Sequence, residues 1–576
     1  MKRIFTLVLI LALAALAPSA LFPRAFAEET AGTAIYDCAG FAAVADDPSG
    51  DYYLASDIVL PDGFSPIEEF SGSFDGRGHK ISYKASGAYD AGFAPFMKNT
   101  GSIFSLAVEC DIDVSVGEDG NVGGVVANNY GFVTDCSVSG AIRVTASPAG
   151  NEFIYAGGAV GYSEGDISGC VSTAAVGLYG EGTVHAGGVV GGTFECVVST
   201  CESSADVIAA GLNASAGGVV GECDGKAGYC SFSGTVKAKA VSSGKNSYAH
   251  AGGISGYALD HMVQCENSGT VIAVGDSLSS AYAGGGCGII YGRINRFENS
   301  GAIRSEAGYA VYAGGAAGRA CEEVISADNT AVITAIGEPA AVFAGGVAGK
   351  AASLENCSSD SDVYAVGNVL CAGGVGGESD KAADCVSDGV ITVSAKEMKV
   401  GGILGTVRFA SGCSSSCTVA ITGGFCEITA GGVIGKVLSS VSASEFSGRI
   451  TAETSGGYVY AGGIVGYNAS SVINCKATPS LTVRMETNDA SGVVAAGCIA
   501  GGNYGKISAC RGTAKIYAFC QLESTVRGSG RKISLFVGNN AGLSRVGGTV
   551  SESSAESRIN AYLISGGAAT PKYNYD

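Results

Sequence analysis

The chain has no tryptophan, only four histidines and only ten prolines in 576 residues. So little proline excludes a collagen or a proline-rich linker. Charged residues make up 15% of the chain, against about 25% in an ordinary soluble domain. Basic residues are the scarcer sign, 34 against 53 acidic, for a net charge of −19. An acidic chain repels phosphate backbones, so neither nucleic acid nor anionic lipid is expected as a partner. Beyond the first 27 residues no apolar run reaches 18, so no later segment is expected to span a bilayer. What the chain has in excess is glycine, 91 residues, with hydrophobic residues at 47%. That much apolar content argues against disorder. Abundant small residues and few charges point to closely stacked backbone.

Residues 1–27 read as a secretory signal peptide. Lys2 and Arg3 open it, an apolar run starts at Ile4, and Ala25-Phe26-Ala27 is a small-x-small cleavage site. Pro18 and that site favour cleavage over a membrane anchor. The mature chain, about −22 in charge, is expected outside the cell, released or held at the surface by non-covalent contacts.

One pattern governs the rest: a small or apolar residue, Gly-Gly, two mostly apolar residues, Gly. It reads AGGAVG from Ala156 (Gly157, Gly158), AGGVVG from Ala186 (Gly187, Gly188), AGGVVG from Ala216 (Gly217, Gly218) and AGGISG from Ala251 (Gly252, Gly253). It continues to AGGIVG from Ala461 (Gly462, Gly463) and a degenerate AGCIAG from Ala496. From Gly123 to Gly497 the period averages 31 residues, with gaps of 28 to 35. Eight to ten residues after each motif stands a recurrent Cys: Cys136, Cys170, Cys201, Cys230, Cys265, Cys357, Cys385, Cys413, Cys475 and Cys510. Phe297, Ala327 and Ala443 are read into the same slot in the other repeats. An alternating Val/Ile/Thr run follows, as in GTVKAKAVSS after Ser233.

Three strand candidates and three corners per 31 residues make one turn of a parallel β-helix. The predicted class is all-β, a β-solenoid of short strands, with thirteen coils over residues 120–505. A single turn cannot bury its own apolar faces, whereas stacked turns pair every backbone group with the turns above and below. A propeller needs longer blades with aromatic signatures. The glycine pairs are expected where the backbone bends sharply, with φ > 0, or packs closely. Residues 28–120 form an N-terminal cap and first coils, 121–550 the repeats and 551–576 a tail whose last dozen residues fray. The cap includes a short helix over residues 34–47, started by Asp37, with Phe41, Val44 and Ala45 on its inner face.

The AGGVVG repeat with its downstream Cys segment resembles the GLUG-motif repeats of bacterial surface and secreted proteins. YYLASDIVL followed by FSGSFDGRGHKIS is similar to the stretch that precedes such repeats. The resemblance covers roughly residues 50–550. It implies a β-solenoid, an extracellular and adhesin-like setting, and no catalytic residues in the repeat. Some members join these repeats to an immunoglobulin-cleaving metalloprotease domain, which would need a zinc motif.

No such motif is present. His79, His185, His250 and His261 form no H-E-x-x-H. His185 occupies a slot held elsewhere by Tyr155, Tyr282, Tyr312, Phe343 and Tyr460, which reads as an aromatic ladder. Gly161-Tyr162-Ser163-Glu164-Gly165 matches G-x-S-x-G, but a chain this rich in Gly and Ser produces that string by chance. Asp111, Asp113, Glu118 and Asp119 form a local acidic cluster, read as a solvated corner, and no register-matched acidic ladder is expected. The 21 cysteines include no C-x-x-C. Those of the repeat slot are read as a buried ladder of unpaired thiols, with a few bridges as the alternative. No catalytic, metal or cofactor site is expected. The favoured reading is an interaction or structural module at the surface, with host or cell-surface glycans or proteins as partners. A polysaccharide lyase or hydrolase on a β-helix and a ligand-free spacer are the alternatives.

Overall fold

The computed structural model describes residues 32–575 apart from 118–119, 147–152, 242–245, 488–491, 523–532, 539, 545–547 and 566–567. The expected signal peptide, Glu118 and Asp119 lie outside the described residues.

Each coil is built from three runs, two of them interrupted by a bend. In one early coil the Gly-Gly run is Phe153–Gly157 and Val160–Ser163, the Cys run Ile167–Ser168 and Val171–Ser172, and the third run Ala175–Tyr179. Every run pairs in parallel with its counterpart one coil on. The first glycines of the motif therefore stack. Gly123, Gly157, Gly187, Gly217 and Gly252 are successive rungs, and the column continues through Gly462 and Gly497. The result is a parallel β-solenoid of about thirteen turns. The worn copy near Phe536 adds one rung more, with Gly538 paired to Gly497.

The interior is narrow, and small side chains fill it. Ala156, Val160, Cys170 and Val176 are buried in one coil, and Ala186, Val190, Cys201 and Val207 in the next. Polar ladders thread the same interior. Asn267 donates to Asn299 and Asn299 to Asn329, each at 2.6 Å, and each Asn also donates to the carbonyl two residues on. Stacked amides satisfy one another, which keeps polar groups affordable inside.

The N-terminal end differs. The helix α1 (Cys38–Ala42) starts where the Asp37 side chain accepts from the Gly40 amide at 2.9 Å, then tightens into a 3₁₀ turn over Ala43–Asp46. Phe41 and Val44 are buried, but Ala45 is exposed. The 3₁₀ turn has three residues per turn, so Val44 lies under Phe41 and Ala45 swings out. Phe41 packs edge-on against Phe74 and Phe96, and Phe70 joins them. This aromatic plug fills the interior at the N-terminal end of the stack. At the other end the last residues do not fray as expected. Ala568–Tyr575 folds back on Ser554–Ser565 as the antiparallel pair that ends the stack.

Candidate functional site

The two bends of each coil position the surface side chains. At the Gly-Gly bend none of the motif glycines has positive φ; they lie outside the left-handed region. Their role is space. A methyl on Gly157 would overlap the Val160 carbonyl, and one on Gly158 would overlap Ser172 across the interior and the Gly188 carbonyl of the next rung. At Gly218 the obstacle is the Phe232 ring, at Gly253 the Asn267 amide and at Gly346 the Ser359 hydroxyl. The third glycine, Gly191, lies against the Ala156 backbone one coil back. The two halves of the Gly-Gly run thus fold toward each other on the outside of the solenoid. The bend is re-entrant, and a crevice runs along it.

The left-handed bend is elsewhere, one residue before the Cys slot, and glycine rarely fills it. Asp135, Thr200, Tyr229, Gln264, Arg296 and Ser326 have φ between +50° and +59°, while Gly169 and Gly412 are the glycines there. The slot itself runs inward. Cys136, Cys170, Cys201, Cys230, Cys265, Cys357, Cys385, Cys413, Cys475 and Cys510 are all buried, and all 21 cysteines are unpaired thiols. Phe297 and Ala327 continue the column after Cys265. Ala443 does not. It occupies the left-handed position, with φ +48°, and Ser444 fills the slot, its hydroxyl accepting from the Cys413 amide at 3.3 Å. One extra residue between Val437 and Ser440, opposite the Val407–Phe409 step of the preceding coil, shifts the register, which misplaces a count made from the motif. Burial raises the Cys110, Cys223 and Cys498 thiols to about 12, so these are inert thiols.

The residue after each slot faces out. Here Glu266, Glu298 and Asp328 are register partners on consecutive coils, the acidic ladder the sequence reading did not expect. Strand alternation makes it legible afterwards: an inward slot places its successor outside. These carboxylates border a groove of about 540 Å³ that also touches Tyr229, Gln264 and Arg296. Among the described residues no group of three or more His, Cys, Asp or Glu is placed to hold a metal ion. Asp111 pairs with Lys84 at 3.7 Å.

The crevice at the re-entrant bend gathers more chemistry. One wall is the column Tyr155, His185, Ser215, His250, Tyr282, Tyr312, Phe343, then Cys371 and onward to Tyr460. Tyr282 and Tyr312 stack at 4.6 Å and 3°, and Tyr312 and Phe343 at 4.9 Å and 6°. The rings cover one another's faces and turn their edges outward. The opposite wall carries Tyr162, Gly192, Glu222, Tyr257, Ile289 and Arg319 in successive coils. Tyr155 leans over the space left by Gly192 and donates to Glu222 Oε2 at 2.9 Å. His185 Nε2 lies 3.4 Å from the same oxygen, and Ser215 Oγ lies 3.4 Å from His250 Nδ1. Burial lowers the pKa of both imidazoles, that of His250 to about 3, so both are neutral at physiological pH. The sequence scatters these four residues over 66 positions; only the register brings them together.

This cluster does not assemble a nucleophilic triad. Ser215 and His250 pair, but no carboxylate is hydrogen-bonded or ion-paired to His250 among the described residues, since Glu222 lies against His185. A base needs such an orienting group. Ser163 of the G-x-S-x-G string is buried, accepting from Asn129 Nδ2 and donating to the Gly165 carbonyl. His79 and His261 sit apart, against Asp57 and Asp260.

The fold defines a parallel β-solenoid built from glycine-pair coils. The GLUG motif family matches residues 457–482, and with that match the chain fits a GLUG-repeat β-helix protein. No curated protein and no solved structure matches it. No helix among the described residues is long and apolar enough to cross a membrane. Motif and fold are compatible with a surface repeat protein.

Proposed function

We infer that this is a secreted, surface-associated interaction module that binds host or cell-surface glycans or proteins and carries out no catalysis. The observation that supports this most is the crevice at the Gly-Gly bend. It repeats along the stack, and its tyrosine edges and charged groups present hydrogen-bonding groups without a nucleophile–base–orienter set among the described residues. Repeated weak contacts along such a surface add through effective concentration. Export follows from the basic, apolar and small-x-small order of residues 1–27. The test is a glycan and host-protein array probed with the purified mature chain, run beside turnover assays on soluble polysaccharides. Saturable binding without turnover is the expected result. Measurable polysaccharide cleavage would replace the reading with the lyase or hydrolase, and no binding at all would favour the spacer.

A further inference from the structure

We propose that the groove between Tyr229, Gln264 and Arg296 on one side and Glu266, Glu298 and Asp328 on the other binds an uncharged glycan chain, laid along the solenoid axis at about one sugar unit per coil.

The groove has a volume of about 540 Å³ and lies at the left-handed bend, apart from the Gly-Gly crevice. The residues on either side of the inward slot project outward there and form its walls. Tyr229, Gln264 and Arg296 follow one another on successive coils, and so do Glu266, Glu298 and Asp328 opposite. Across these coils the groove runs for ~15 Å, at ~4.8 Å per coil. Tyr229 is 59% exposed, and no other ring packs on it among the described residues. Nor does any hydrogen bond or ion pair among the described residues engage the side chains of Gln264, Arg296, Glu266 or Glu298. The nearby Arg293, by contrast, is spent on Glu322 and Glu323. The walls thus offer donors, acceptors and an open aromatic face together. Carboxylates accept from sugar hydroxyls, the guanidinium and amide donate to sugar oxygens, and the tyrosine ring packs on the C–H face of a pyranose. Charge narrows the class. Four carboxylates and one guanidinium line the groove, so a chain of uronates is repelled, and Arg296 in mid-wall disfavours a polycation. Spacing favours a glycan over a peptide. An extended peptide repeats its same-face side chains every ~6.6 Å, out of step with rungs ~4.8 Å apart. A pyranose with its linking oxygen is close to one coil in length.

The inference rests on the interaction-module reading, deepens it by naming a site and a ligand class, and fails separately. The experiment is calorimetric titration of the full mature chain with cellohexaose, maltohexaose, xylohexaose and mannohexaose, beside hexagalacturonate and a lysine hexapeptide. The expected result is binding of at least one neutral hexasaccharide about tenfold tighter than hexagalacturonate. For that sugar, affinity should rise with chain length to about four units, the length of the groove, and then level off. Glu298→Gln should weaken binding about tenfold. Tyr229→Asn removes the ring with a residue that accepts the left-handed bend, and should lose several-fold. Both variants should keep the parent's circular dichroism spectrum and unfolding midpoint. No binding of any neutral hexasaccharide, equal binding of hexagalacturonate, binding of the lysine peptide alone, no dependence on chain length, or affinity unchanged in both variants would overturn the proposal. Array binding that survives both substitutions would leave the module reading standing and this site refuted. Cleavage of a bound hexasaccharide, lost in Glu298→Gln, would keep the site and overturn the non-catalytic reading.

Discussion

Each coil turns at two bends that solve opposite problems. At the Gly-Gly bend the dihedrals are ordinary and the space is not: Gly158, Gly218 and Gly253 face side chains across a thin interior and carbonyls on the next rung. At the bend before the Cys slot the space is ordinary and the dihedral is not, yet Asp, Thr, Tyr, Gln, Arg and Ser all accept it. A left-handed residue costs about 1–2 kcal/mol, which a solenoid tolerates rung after rung when the pairing on both sides fixes the turn. A methyl group inside another atom has no such tolerance. Glycine is therefore invested where the crevice forms, and the crevice is the consequence.

Breaking the first bend should have the largest effect. Gly218→Ala places a methyl against the Phe232 ring and the Gly253 carbonyl, and should cost about 3 kcal/mol or more in urea unfolding. Adding Phe232→Ala in the same chain should recover part of that cost, because one of the two obstacles is removed. A double variant no better than the sum of the singles would show the backbone clash to be the whole effect.

The second effect belongs to the crevice itself. His185 and His250 are buried neutral with pKa values below the ordinary histidine range, and around them stand Tyr155, Ser215, Glu222, Tyr257 and Tyr282. In the unfolded chain these imidazoles titrate near 6.5. Their folded forms bind fewer protons, so the stability they allow is complete above about pH 6.5 and falls as the pH drops toward about 3. Unfolding midpoints measured from pH 7 to pH 4 should decline, and the decline should be shallower in the His185→Phe, His250→Phe double variant. An unchanged slope would remove the two histidines as its source.

Those predictions depend on features of unequal legibility. The period, the Gly-Gly column, the inward Cys slot and the aromatic column stand in the sequence because stacking forces like residues into register. Phe41 and Val44 were legible as an inner face, whereas Ala45 was not, since nothing marks the switch to a 3₁₀ turn. Ser444 was hidden by a bulge that adds one residue without a signal of its own. The reason for the glycines was misread in part: sequence shows that glycine recurs, but only coordinates distinguish a left-handed dihedral from a missing methyl. The cluster of His185, Ser215, Glu222 and His250 was out of reach, because its members come from different coils and both halves of the bend. Column order alone does not say that the walls face each other.

The smaller effects sharpen the same contrast. Thiol labelling of the native chain should modify Cys38, which is exposed, and Cys321, which is partly so, before the nineteen buried cysteines react. Rapid reaction of Cys201 or Cys230 would show that the slot opens. Ser444→Cys should extend the thiol column at a cost within about 1 kcal/mol, the worth of the hydrogen bond it weakens to the Cys413 amide.

The most direct measurement compares both bends of a single coil. Gly253 belongs to the re-entrant bend and Gln264, with φ +54°, to the left-handed one. Equilibrium unfolding of Gly253→Ala and Gln264→Gly beside the parent chain reads the two directly. Gly253→Ala should lower the midpoint sharply, while Gln264→Gly should leave it unchanged or raise it by the equivalent of up to about 1 kcal/mol, the left-handed penalty relieved less the entropy of glycine. A tolerated Gly253→Ala together with a damaging Gln264→Gly would contradict the account.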